Sequence, residues 1–114
     1  MADPKGTSLG QEMKYELVIK PEAEADIEDS FDWYELQSEG LGHNFIYIVE
    51  QTLDAIHLMP FGYQLVYQDL RRAPVHRFPH TIFYFLEREM IYVLACVHQK
   101  RDPKVWKSRK PLDG

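Results

Sequence analysis

KYELVIKPEAEADIEDSFDWY, residues 14–34, changes its period partway through, and that change decides the fold. Lys14 to Lys20 alternates polar residues with Tyr15, Leu17 and Ile19, the two-residue period of a half-buried strand. Pro21 then suits a first helical turn, because the N–H it lacks is one that a helix start leaves unbonded anyway. From there Ala23, Ile27, Phe31 and Tyr34 recur at steps of four, four and three, the spacing of one apolar stripe along an amphipathic helix. Glu22 and Glu24 lie in its first turn, where carboxylates face the positive end of the helix dipole. A strand therefore runs straight into a helix.

Gly40-Leu41-Gly42 interrupts that helix, and a second helical period follows through Phe45, Ile48, Val49, Thr52, Ile56 and Met59 before Pro60 ends it. Two helices joined by so short a turn must lie antiparallel. The rest of the chain supplies a cover for their apolar stripes. Three strand candidates follow Phe61-Gly62: part of Tyr63 to Val75, then Thr81 to Glu87, then Met90 to Val97, with Arg88-Glu89 as the hairpin turn between the last two. Those last two are nearly continuous runs of Ile, Phe, Tyr, Leu and Val, which implies burial on both faces or an aromatic inner sheet against the helices. The prediction is an α+β fold: strand, helix, helix and three strands, with an antiparallel helical hairpin packed on a mostly antiparallel sheet. Phe31, Trp33, Tyr34, Phe45, Tyr47, Phe83, Tyr84 and Phe85 are expected in the core, although Trp33 falls off the main stripe and belongs nearer the rim.

At 114 residues, 45% hydrophobic and 27% charged, the chain has the size and composition of one domain. Residues 13–107 are expected to form it. Residues 1–12 read as a polar leader or disordered segment, with Met13 just before the first strand, and 108–114 as a flexible tail. The single Cys96 sits inside the apolar run Ile91 to Val97, so thiols build neither a disulfide framework nor a metal cluster. No stretch approaches the ~18 apolar residues of a membrane span. These features point to a soluble cytoplasmic protein with no cofactor and no metal.

The formal charge of −5 hides a division along the chain. Residues 1–59 hold 3 Lys/Arg against 13 Asp/Glu, a net −10, and residues 60–114 hold 10 against 5, a net +5. The basic half can meet a polyanion or an acidic protein segment.

RFPHTIFYFLE (Arg77 to Glu87) and VLACVHQKRDPKVW (Val93 to Trp106), in this order of elements, resemble the RelE/ParE toxin superfamily, also known as plasmid stabilisation proteins. YELVIKPEAEADIEDSFDWY further resembles its ParE-like branch, in which a strand runs into a helix opened by Pro-Glu-Ala. The resemblance implies the toxin of a type II toxin-antitoxin pair, covered by a cognate antitoxin. It implies a target too: DNA gyrase in the ParE-like branch, or mRNA cut on the ribosome in the RelE-like branch. An inactive homologue that only binds antitoxin is a third reading. DNA would be met only indirectly, through the antitoxin.

Metal-free RNA cleavage needs a base for the 2′-hydroxyl, a cation for the charged phosphorane and an acid for the leaving oxygen. Where the resemblance places a RelE-type arginine, this chain has Thr81; its C-terminal aromatic is Trp106, whose indole can stack on a base but exchanges no proton at useful pH. His98, beside Lys100 and Arg101 at the exit of the last strand, is the best candidate acid or base if the protein is a nuclease. His57, His76 and His80 read as structural or solvated, and they lack metal-ligand spacing. Arg71, Arg72 and Arg77, read as one strand's cations, join Lys100, Arg101, Lys104 and Trp106 as candidate target- or phosphate-binding residues. Lys100, Arg101, Lys104 and Lys107 put four like charges in eight residues, which repel unless a partner neutralises them. Asp102-Pro103 is expected to turn the chain. Trp33, Arg77 and Arg101 are the candidate antitoxin contacts. Thr81 and Trp106 favour the ParE-like reading, which asks only for a binding surface.

Overall fold

The computed structural model describes residues 14–111; the leader 1–12, Met13 and the end of the tail lie outside them. The predicted strand is β1 (Glu16–Ile19), and it feeds α1 (Pro21–Gln37) without a loop. After α2 (Leu41–Leu58) come β2 (Gln64–Tyr67), β3 (Leu70–Pro74), β4 (His80–Glu87), β5 (Met90–His98) and a short α3 (Pro103–Lys107). The five strands form one sheet in the order β1-β5-β4-β3-β2, antiparallel except for the β1–β5 pair. The α+β prediction holds. The region Tyr63 to Val75, however, makes two strands where one was expected. Its turn at Gln68-Asp69 has no glycine to announce it, and Gln68 takes a positive φ of 52°, a conformation that costs a residue with a Cβ about 1–2 kcal/mol.

The helical hairpin is joined at its tip by one carboxylate. Glu35 near the end of α1 accepts from the backbone N–H groups of Gly40, Gly42 and His43 (3.2, 2.8 and 3.3 Å). It thereby satisfies donors that the start of α2 would otherwise leave unbonded, and these bonds, led by that of Gly40, hold its pKa below the ordinary carboxylate value. Gly40 needs its left-handed φ of 91°. Gly42 is required for space: a Cβ there would lie 2.6 Å from the carbonyl oxygen of Phe31.

Phe45, Val49, Thr52 and Ile56 form the buried stripe of α2, packed with Ala23 and Tyr34 of α1 onto Ala73, Ile82, Tyr84, Ile91, Val93 and Cys96 of the sheet. Tyr47 does not join them and is 60% exposed. Two residues beyond Phe45, at about 100° per residue, it points nearly to the opposite side. Trp33 is also largely exposed, at 56%, and Phe31 is half-buried.

The other face of the sheet is buried as well. Leu70, Phe83, Phe85, Leu94, Ala95 and Val97 form a second core there, closed by Trp106. A register shift opposite Phe83/Tyr84 pairs Phe83 with Ala95 but Tyr84 with Val93, leaving Leu94 unpaired on β5. This bulge puts the neighbours Leu94 and Ala95 in the same core. Both faces of β4 and β5 are therefore covered, and the C-terminal segment is the second cover.

Candidate functional site

Everything after β5 depends on how Val97 to Pro111 is held. Asp102 opens α3 as its N-cap, its Oδ1 accepting from the Lys104 N–H at 3.0 Å, and Pro103 occupies the first helical position. Trp106 turns inward and stacks on Phe83, with ring centroids 4.0 Å apart and planes at 12°. Its remaining exposure is 9%. The face expected to stack on a base is occupied by the protein's own phenylalanine.

Beyond α3, Arg109 does what no sequence pattern announced. β1 ends at Ile19 opposite Val93, so β5 continues past it without a strand partner on that edge. Arg109 Nη1 donates to the Leu94 carbonyl (3.0 Å) and to Asp26 Oδ2 (2.6 Å), and the same carboxylate oxygen accepts from the Cys96 N–H (3.0 Å). An ion pair, one partner from α1 and one from the tail, thus completes the edge. Lys110 adds a bridge to Asp69 at 3.2 Å. Arg109 and Lys110, in the segment read as a tail, thus contact α1 and the β2–β3 turn.

The cations fall into three groups. Arg71 on β3 donates to the Tyr63 carbonyl at 2.6 Å and lies over the Phe61 ring, so it is committed to the fold. Arg72 is exposed on β3, but Arg77 is not on that strand. It sits in the β3–β4 turn with φ 73°, where the Val75 N–H donates to the His80 carbonyl. A non-glycine residue in this conformation carries local strain. Lys100, Arg101, Lys104 and Lys107 are all exposed and have no carboxylate within salt-bridge distance among the described residues.

His98 is exposed at the end of β5, and its Nδ1 accepts from the Lys100 N–H at 3.0 Å. The proton of the neutral ring is then on Nε2. Its cross-strand partner is His80, with ring centroids 5.6 Å apart. His80 is buried against Tyr34 and Phe45 and bonds to Ser30 Oγ (3.2 Å) and the Tyr34 hydroxyl (3.4 Å). Burial first, and the neighbouring His98 second, push its pKa down from 6.5 to about 4, against a smaller opposing pull from Asp26. His57 Nε2 donates to the Tyr15 carbonyl at 2.6 Å. Both His57 and His80 are structural. Burial likewise raises the Cys96 thiol to about 12, which leaves no thiolate for chemistry. Among the described residues no three His, Cys, Asp or Glu side chains gather to hold a metal, and no helix is long and apolar enough to cross a membrane.

The His80 shift predicts acid sensitivity. The unfolded chain takes up this proton below pH 6.5 and the native one only near pH 4, so stability is full above 6.5 and falls as pH drops through that window. The loss reaches about 3 kcal/mol. Denaturant titrations of the native protein and His80→Gln across the window should show the variant with the shallower decline. Parallel curves would assign acid sensitivity elsewhere.

Trp33 and His98 line one recess of ≈ 220 Å³ with Asp29, Ser30, Tyr34 and His80. Arg77 and Tyr47 line another of ≈ 410 Å³ with Leu41, Asn44, Ile48 and Phe78. Phe78 packs on Tyr34 and so links the two. Arg101 follows closely, its N–H donating to the His98 carbonyl. The fold thus brings Trp33, His98 and Arg101 to one end, with Arg77 beside them. Lys104 instead lines a cleft on the far side of α3.

A helical hairpin laid on one face of a mainly antiparallel sheet, with a basic C-terminal helix closing the other, places the molecule in the RelE/ParE architecture. The family is narrower than that: residues 17–103 match the model described as "ParE toxin of type II toxin-antitoxin system, parDE", and the chain belongs to this ParE toxin family. Among solved structures, a chain of the "Chromosomal ParDE TA system from P. aeruginosa" is similar with a TM-score of 0.68. The match is 14% identical and covers 76% of this chain and 97% of that one, a likeness of fold. No curated protein matches.

Proposed function

We propose that this ParE-family type II toxin poisons DNA gyrase by binding, and that a cognate antitoxin neutralises it by covering the end of the domain that carries Trp33, Arg77 and Arg101. The observation that carries the reading is the closure of the two positions where RNA cleavage would need working groups. Thr81 is 4% exposed opposite Val97, and Trp106 is consumed in the second core. His98 has exposed basic neighbours, and the imidazole facing it, His80, is kept neutral near pH 7 by burial, with Asp29 and Tyr34 lining the same recess. Lys100, Arg101 and Lys104 remain outward, suited to holding a target. Strain at Arg77 and the exposure of Trp33 and Tyr47 support the antitoxin surface, because aromatics and arginines in shallow recesses are the usual anchors of an interface.

Purified protein should be assayed in parallel for inhibition of gyrase supercoiling and for mRNA cleavage on programmed ribosomes, with and without a cognate antitoxin. Supercoiling inhibition relieved by the antitoxin is expected. Ribosome-dependent cleavage without gyrase inhibition would replace this reading with the nuclease one. Truncation after Val97 is a poor probe, because it removes Trp106 and Arg109 and with them the second cover of the sheet.

A further inference from the structure

A cleft of ≈ 880 Å³ runs between α3 with the turn after it and the β2–β3 hairpin, lined by Lys104, Lys107, Ser108, Lys110, Tyr67 and Asp69 among others. Its lysines recur every third residue, and Ser108, Arg109 and Lys110 continue the winding through N–H bonds to Lys104, Trp106 and Lys107. The cations therefore form a stripe along one side. Two of them are held from below: the Lys107 ammonium lies over the Tyr67 ring at 4.8 Å, and that of Lys110 over Phe85 at 4.6 Å. Asp69 neutralises Lys110, while Lys104 and Lys107 have no acidic partner among the described residues.

We infer that this cleft holds the phosphodiester backbone of duplex DNA, so that the toxin itself touches DNA instead of meeting it only through an antitoxin. An acidic protein segment would be drawn by the same charges, but peptide recognition also relies on apolar anchors. Among the described residues the large exposed apolar side chains, Trp33, Tyr47 and Phe61 among them, all lie outside this lining. Tyr67, the cleft's aromatic, is covered by Lys107. Pro111 is the other apolar residue of the lining; regularly spaced cations suit a regular polyanion, whose binding needs little besides charge. The exposed carboxylates of α1, Glu22, Glu24, Glu28, Asp29 and Asp32, disfavour the helical face.

The inference deepens the gyrase reading, since gyrase would present the DNA, but it is measured without gyrase and so fails or stands separately. Anisotropy of a labelled short duplex should be followed across a salt series with the full chain. Binding independent of base sequence is expected, with log affinity falling against log salt at a slope of at least about −2. Lys104→Ala/Lys107→Ala should weaken binding about tenfold or more and flatten the slope by about two, whereas Lys104→Arg/Lys107→Arg should retain both. If Lys107→Ala disturbs the fold, Lys104→Ala alone should still flatten the slope by about one. Absence of binding at low salt, or a slope unmoved by these substitutions, would overturn the inference. So would poly-glutamate that binds as tightly as the duplex and is lost with the same lysines; the cleft would then belong to an acidic protein segment.

Discussion

Trp106→Ala should lower the free energy of unfolding by about 3–5 kcal/mol, the usual cost of removing a large buried aromatic. Against the 5–15 kcal/mol that holds a domain of this size together, such a loss is visible in any denaturant titration. The reason is geometric. Trp106 covers Phe83 at stacking distance and closes the cluster of Leu70, Phe85, Leu94, Ala95 and Val97. Deleting it would open the second face of the sheet to water and release α3. Trp106→Phe should recover part of the loss, because a smaller ring can still cover Phe83. A tryptophan whose role was to stack on a target would behave otherwise: its removal would change stability by less than about 0.5 kcal/mol, as surface substitutions do, and abolish binding alone.

The second large effect is expected at Asp26. Asp26→Ala would leave the Arg109 guanidinium, only 18% exposed, without its counter-charge, and the Cys96 N–H without an acceptor. Breaking one side of a buried pair costs about 3–5 kcal/mol; with both side chains reaching some solvent, at 18% and 12%, about 2–3 kcal/mol is reasonable. The double variant Asp26→Ala/Arg109→Met should be less destabilised than the sum of its single variants, since removing both charges leaves none uncompensated. Strict additivity in this cycle would mean that the pair does not join the tail to α1 and the edge of β5.

These two sites show where sequence reading succeeded and where it stopped. The strand-to-helix switch at Lys20-Pro21, the hairpin around Gly40 and Gly42, and the turn at Arg88-Glu89 were legible because each has a local physical cause: a change of period, a conformation that glycine allows, a break between apolar runs. Asp26 was hidden among the other carboxylates of an acidic helix. Its role depends on Arg109, 83 residues away, and on the point where β1 happens to end. Trp106 was misjudged for a related reason. An aromatic among lysines reads as exposed, and only the burial of Phe83, Phe85 and Val97 on the far face of the sheet shows that something must cover them. Gln68 adopts positive φ inside what reads as one strand, so its turn left no mark in the sequence; Arg77 and Arg88 do the same in gaps between apolar runs. The exposed cations Lys100, Arg101 and Lys104 were legible as a cluster, but the cleft formed with Tyr67 and Asp69 was not.

What remains exposed in the C-terminal segment is charge, and what is buried there is structure; binding by the former without catalysis by His98 is the centre of the account. Supercoiling by purified gyrase in the presence of His98→Ala tests it most directly. Inhibition equal to that of the native toxin is expected, with loss of inhibition in Lys100→Ala/Arg101→Ala/Lys104→Ala while the fold is retained. Growth arrest and ribosomal mRNA cleavage by the native protein, both abolished in His98→Ala with gyrase unaffected throughout, would contradict it.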